Sequence, residues 1–132
     1  PEMSRGLGDV YKRQVITMFT VQQIYSIANV VRHFTNRFMQ NPDTSQKIIV
    51  KTIFESKLQI PFIQESIDSI PNYGLMEAIE NLAGALNETQ KNKFYEIIDM
   101  LQNSIDGNPY YSEIIKKEAK TYASAIKAAI WF

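Results

Sequence analysis

Lys47-Ile48-Ile49-Val50-Lys51-Thr52-Ile53-Phe54 can be read two ways, and the choice decides the fold class. The run is heavily β-branched, which suits a strand. A strand needs a partner, and no other segment of the chain offers one. Wound as a helix, Ile49, Val50, Ile53 and Phe54 share a face, while Lys47, Lys51 and Glu55 lie opposite. Asp43-Thr44-Ser45-Gln46, just upstream, has the spacing of a capping box. A helix from that cap to about Leu58 follows, and with it an all-α fold without a sheet.

The neighbouring segments agree. Upstream, Thr20-Val21-Gln22-Gln23 is a second capping box. After it, Val21, Ile24, Tyr25, Ile27, Ala28, Val31, Phe34, Phe38 and Met39 recur at helical spacing and fill half a wheel. Gln22, Ser26, Asn29, Arg32, His33, Asn36, Arg37 and Gln40 fill the other half, the side expected to meet water. Asn41-Pro42 ends that helix. Downstream, Ile60-Pro61 is a break, and a short helix from Phe62 to about Ile70 precedes the turn Pro71-Asn72-Tyr73-Gly74.

Leu75, Ile79, Leu82, Ala83 and Leu86 then stack on one side of a helix over Leu75–Leu86, with Glu77, Glu80 and Asn81 facing away. Asn87-Glu88-Thr89-Gln90 is a third box; it opens a helix to Ile105 striped by Phe94, Ile97, Ile98, Leu101 and Ile105. Asp106-Gly107 supplies a left-handed stop, and Asn108-Pro109 starts a last helix, proline in its first turn, that reaches about Ile130. Five or six antiparallel amphipathic helices in one compact bundle are expected.

Residues 1–14, PEMSRGLGDVYKRQ, resemble a translated sequencing adapter and differ in style from the isoleucine- and asparagine-rich remainder. Residues 1–17 are therefore read as a non-native extension, and residues 18–132 as one helical domain. A domain of that length can bury roughly two-thirds of its unfolded surface. The chain has no cysteine, which removes thiol chemistry and thiolate metal sites. No run approaches the ~20 apolar residues of a membrane span. Polar Gln22, Gln23, Ser26 and Asn29 interrupt the segment after Met18, so a cytoplasmic location is the expectation.

Charge is unevenly spread. Residues 18–60 carry five basic side chains (Arg32, Arg37, Lys47, Lys51, Lys57) against Asp43 and Glu55, a net +3. Residues 61–108 carry Lys91 and Lys93 against eight acids, a net −6, and residues 109–132 carry four lysines against Glu113 and Glu118, a net +2. Basic ends folded against an acidic middle account for this; two faces steering different partners is the alternative.

Few residues invite chemistry. No HExxH, GxGxxG or GxxxxGK[ST] pattern occurs. His33, the one histidine, lies between Asn29 and Arg37 at four-residue spacing. It has no carboxylate to orient it and reads as a solvated side chain. Counted from Gln102, the residues Ser104, Asp106, Gly107 and Glu113 fall at positions three, five, six and twelve of an EF-hand loop. Gln102 stands where an aspartate is needed and Pro109 where a β-branched residue belongs. A glycine stop followed by a proline start explains the loop without calcium. Glu118 interrupts the apolar arc between Ile114 and Tyr122, which suits a boundary position with its head in water. The sequon Asn87-Glu88-Thr89 is explained by its capping role.

Trp131 leaves the apolar face on the wheel and joins Lys116, Lys120 and Lys127, a grouping that suits a contact surface. A terminal helix that frays and lets the ring fold back on the core is the competing account. Ile48 and Val30 also lie outside the main stripes. The expectation is a non-enzymatic protein-interaction domain with no cofactor, metal or small-molecule substrate, its partner another protein, a second copy of the chain included. Binding to an anionic membrane surface through the last helix comes second, with Tyr111, Ile115, Tyr122 and Ile126 as the apolar side. Nucleic-acid binding through the basic first two helices comes third, since no arginine cluster is present and the acidic middle opposes it.

Overall fold

In the computed structural model, which describes residues 18–61 and 67–131, the β-branched stretch is helical and the described residues contain no strand. The chain is all-α. Among the described residues, five α-helices run in order: α1 Val21–Phe38, α2 Pro42–Thr52, α3 Leu75–Leu82, α4 Glu88–Asp106 and α5 Glu113–Ile130. A π-helical turn, Ile53–Lys57, continues α2 and widens its last turn. Residues 1–17, read above as an extension, lie outside the described residues, as does most of the helix expected at Phe62. Of the latter, Ile67 and Ile70 are visible and buried.

Helix α1 is the centre of the packing. It touches α2, α3 and α4, while α5 lies on α4 and α3. Phe34, Phe94, Ile27, Ile53, Leu82, Ile97, Ile98, Leu101, Ile105 and Ile130 are fully buried between them. Each aliphatic or aromatic side chain of that kind contributes about 1.5–3 kcal/mol when taken out of water. The α4 stripe expected from sequence is the stripe observed, every one of its five residues fully buried.

Two of the three capping boxes form. Thr20 Oγ1 accepts from the Gln23 amide at 3.1 Å, and Gln23 Oε1 accepts from the Thr20 amide at 2.9 Å. Asn87 and Gln90 repeat the exchange at 2.9 and 3.0 Å. The box expected at Asp43 does not form. The N-cap of helix α2 lies two residues earlier, at Asn41 in the left-handed region (φ 49), with Pro42 in the first turn. Proline's fixed φ pre-sets the first turn, and asparagine tolerates the left-handed conformation better than most side chains. The Ser45 hydroxyl instead donates back to the Gln40 carbonyl at 2.8 Å.

Three further boundaries differ from expectation. Helix α3 ends at Leu82 rather than Leu86, because Gly84 takes φ 76 and turns the chain, and Leu86 reaches the core from the loop. Gly107 is not a left-handed stop: it holds φ −81, and its amide donates to the Asn103 carbonyl. Helix α5 does not begin at Pro109. Asn108 Oδ1 accepts from the Tyr110 amide at 2.9 Å, an Asx-type turn that delays the helix until Ser112 caps it.

The largest correction concerns the polar half of α1. Ser26 and Asn29 of that half are fully buried, as are Thr35 and Val30, which belong to neither half, so the helix is covered around more of its girth than an amphipathic surface helix. What covers this side is the connection before α3. Asn29 Nδ2 donates to the Pro71 carbonyl at 2.9 Å, and Asn29 Oδ1 accepts from the Tyr73 amide at 2.8 Å. The Arg32 guanidinium donates to the carbonyls of Ile67 (3.2 Å), Ile70 (3.2 Å) and Pro71 (3.0 Å). His33, expected in water, has Nε2 2.9 Å from the Tyr73 carbonyl; the carbonyl can only accept, so Nε2 carries the proton. Burial lowers the Arg32 pKa, but a guanidinium remains protonated throughout the ordinary range.

Candidate interaction groove

Helices α1 and α5 are not among the closely packed pairs. Aromatic rings bridge them instead. Phe34 and Phe38 lie one turn apart on α1 with centroids 5.2 Å apart. Tyr122 on α5 meets Phe34 at 5.8 Å and Phe38 at 5.2 Å, both edge-on, the geometry that ring quadrupoles favour. The Arg37 guanidinium lies 5.7 Å from the Phe38 ring centroid. Burial raises the Tyr122 pKa, with the nearby positive charge of Arg37 pulling the other way.

Because rings rather than backbones close this junction, an open groove of about 640 Å³ runs along it. Arg37 and Phe38 line it from α1; Ile114, Lys117, Glu118, Thr121, Tyr122 and Ala125 line it from α5. Phe38 is buried at its floor, whereas Ile114 is 71% exposed at its edge. Glu118 is exposed on the groove wall, the boundary position that its place in the apolar arc indicated. A smaller hollow of about 230 Å³ lies between α2 and the start of α5, lined by Met39, Ser45, Ile48, Ile49, Ser104, Asn108 and Tyr111. Ile48, outside the main stripe in sequence, is exposed there.

The four residues grouped by the wheel part company. Lys127 pairs with Asp99 on α4, and one turn later the Trp131 ring stacks on Tyr95 of α4 at 6.5 Å and 27°. Asp99 and Tyr95 are themselves one α4 turn apart, so Lys127 and Trp131 form a strip along the α4–α5 seam. The α5 helix ends at Ile130 and Trp131 is extended (φ −73, ψ 139), its side chain 69% exposed beside Tyr95. Lys116 lies 3.7 Å from Glu113 in its own helix, and Lys120 is exposed.

The other candidate chemistry falls to structural roles. Ser104 of the EF-hand-like loop donates its hydroxyl to the Met100 carbonyl, and Glu113 is committed to the first turn of α5 beside Lys116. Among the described residues no three His, Cys, Asp or Glu side chains gather closely enough to hold a metal ion. Among them, too, no helix is long and apolar enough to cross a membrane. Tyr122 and Ile126, assigned to a lipid-facing side in sequence, are packed inward. The uneven charge is partly neutralised in the fold: Lys57 approaches Glu96 at 3.8 Å and Lys127 meets Asp99, basic ends against an acidic middle.

Sequence reasoning missed the groove. One signal was present: Ile114, Glu118, Thr121 and Ala125 trace a second, mixed stripe beside Ile115, Ala119, Tyr122 and Ile126. An apolar arc too wide for one contact and interrupted by a carboxylate marks a helix with two neighbours or a neighbour and a groove. Comparison with protein-family models, with curated proteins and with solved structures returned no match for the chain.

Proposed function

We propose that this domain is a protein-interaction module that takes an apolar helical segment into the groove between α1 and α5. The carrying observation is Ile114: a large aliphatic side chain 71% exposed beside a channel floored by Phe38 and Tyr122. Helix-in-groove recognition uses such a floor for apolar anchors at i, i+3 or i+4 and i+7, with a mixed-charge rim for orientation. Arg37, Lys117 and Glu118 supply that rim. A binding role rather than a catalytic one is supported by the employment of the polar side chains. His33, Arg32 and Asn29 are taken up in holding the 67–73 connection, and no carboxylate faces another across the groove.

Selection from a displayed library of amphipathic helical peptides tests this. The expected result is a set of apolar peptides whose affinity drops at least about tenfold for Ile114→Glu and for Thr121→Arg. Both positions are exposed, so the fold survives the changes. Peptides that ignore both substitutions, or none retrieved at all, would refute the reading.

A further inference from the structure

We infer that the segment taken into the groove is an acidic amphipathic helix, its apolar side on Phe38 and Tyr122 and its carboxylates toward Arg37 and Lys117. This rests on the reading of the groove as a helix-binding surface and names the chemistry of its partner. The groove draws its lining from α1 and α5 alone. Those helices belong to the two parts of the chain with a positive balance, +3 over residues 18–60 and +2 over residues 109–132. Residues 61–108, which carry the net −6, contribute nothing to the lining. Two acids of that middle part, Glu96 and Asp99, are met by Lys57 and Lys127 instead. Fields from the two basic parts therefore converge on the groove, which favours an anionic partner on approach.

The lining itself carries two cations, Arg37 and Lys117, against one acid, Glu118. Both cations are exposed, and neither forms an ion pair among the described residues, whereas Lys116 and Lys127 of the same helix pair with Glu113 and Asp99. The Arg37 guanidinium, 5.7 Å from the Phe38 ring centroid, stands beside the groove floor. Tyr111 lies at Gln40 and Tyr122 at Phe34, so α1 and α5 run antiparallel along the channel. The charges thus gather toward one end, and small, exposed Thr121 and Ala125 lead to the other, where a second helix can lie close. From Ile114 to Ala125 the α5 wall rises about 16 Å, the length of three helical turns. An acidic helix of that length neutralises both cations as it covers them, while a basic one is repelled. Glu118 is the one opposing charge, which makes its removal diagnostic.

Three libraries of helical peptides test the inference; they share one apolar face and carry Glu, Gln or Lys at the remaining positions. Binding to the intact chain is read by fluorescence anisotropy at low salt. The Glu series is expected to bind at least about tenfold more tightly than the Gln series, and the gap to shrink to about threefold or less at about 0.5 M salt. Arg37→Gln and Lys117→Gln each weaken the Glu peptides about threefold or more and leave the Gln peptides within about twofold. Glu118→Gln strengthens the Glu peptides about threefold. Ile114→Ser, which changes no charge, weakens every series. Gln or Lys peptides that bind as tightly as Glu peptides, and still respond to Ile114→Ser, overturn the acidic partner and leave the groove reading standing. Glu peptides indifferent to both cation variants overturn it too, as does a dimer of the chain that Ile114→Ser dissociates, which gives the groove to a second copy. If no series binds, or binding ignores Ile114→Ser, the groove reading falls as well.

Discussion

Gln90 donates through Nε2 to Oε1 of Gln23 at 3.3 Å, so the last residues of two capping boxes are bonded to each other. Both side chains are more than nine-tenths buried. Gln23 also donates to the Ala85 carbonyl at 2.9 Å, and Gln90 to the Met18 carbonyl at 2.7 Å. Two helix starts far apart in sequence are thus tied into one polar knot, with the segments entering α1 and α4 held by the same amides. A buried network of this kind favours one register because every alternative strands a donor or acceptor.

Gln90→Ala is therefore expected to destabilise the domain by about 2 kcal/mol: a cap of about 1 kcal/mol and a buried acceptor left unpaired. Gln23→Ala is expected to fall in the same range. The double variant should cost less than the two single effects together, by about 0.5–1 kcal/mol. Urea denaturation of the four proteins measures this coupling. Strict additivity would mean that the two boxes act independently.

The Arg32 clasp makes a different prediction. Arg32→Met keeps much of the stem's packing but releases the carbonyls of Ile67, Ile70 and Pro71. A loss of about 2 kcal/mol is expected, since hydrogen bonds to charged groups are the stronger kind. Arg32→Lys should recover less than half, because one ammonium cannot reproduce a planar fork that reaches three carbonyls. The local readout is hydrogen exchange at the Tyr73 amide, which is bonded to the neighbouring Asn29. It should accelerate in both variants, and more in Arg32→Met.

These polar contacts also mark where the sequence stops being legible. The α4 stripe and the capping boxes at Thr20 and Asn87 are local: residues three or four apart decide them, and they form as the spacing predicts, whereas the same spacing at Asp43 gives way to Pro42 in the first turn of α2. Lys47–Phe54 is legible as a helix because the argument uses the absence of a partner strand, a property of the whole chain. By contrast, Asn29, Arg32 and His33 look the same in one dimension whether they face water or a loop some forty residues away. Only the tertiary path of residues 67–73 distinguishes the two. The groove is hidden for a related reason: it exists because α1 and α5 stay apart, and periodicity reports which side chains want burial, not which helices leave a gap.

Two glycines test the corrected boundaries. Gly84 sits at φ 76 with open space where a methyl group would stand, so Gly84→Ala is expected to cost about 1 kcal/mol from backbone strain alone. Gly107 has an ordinary right-handed φ, and an added Cβ would lie 3.3 Å from the Asn103 carbonyl oxygen. There the reduced entropy of the unfolded chain and that tight contact oppose each other, and a change within about 0.5 kcal/mol is expected. Thermal unfolding compares them. A large loss for Gly107→Ala would instead favour the left-handed stop.

Tyr122 supplies a pH dependence. Burial raises its pKa above the free phenol's ordinary value, and the opposing pull of Arg37 is the smaller effect. The folded state therefore holds the phenolic proton more tightly than the unfolded chain does. Its contribution is fully present below about pH 10, where both states are neutral, and is lost as pH rises through the folded-state value. Stability should decline above about pH 10, and Tyr122→Phe should flatten part of that decline while keeping the ring contacts with Phe34 and Phe38. Arg37→Met should steepen it, because the charge that favours the phenolate is gone. Urea midpoints measured between neutral pH and the alkaline limit separate the three proteins. If Tyr122→Phe follows the parent's alkaline slope without change, the ring at the groove floor does not titrate with unfolding, and other tyrosines or lysines account for the decline.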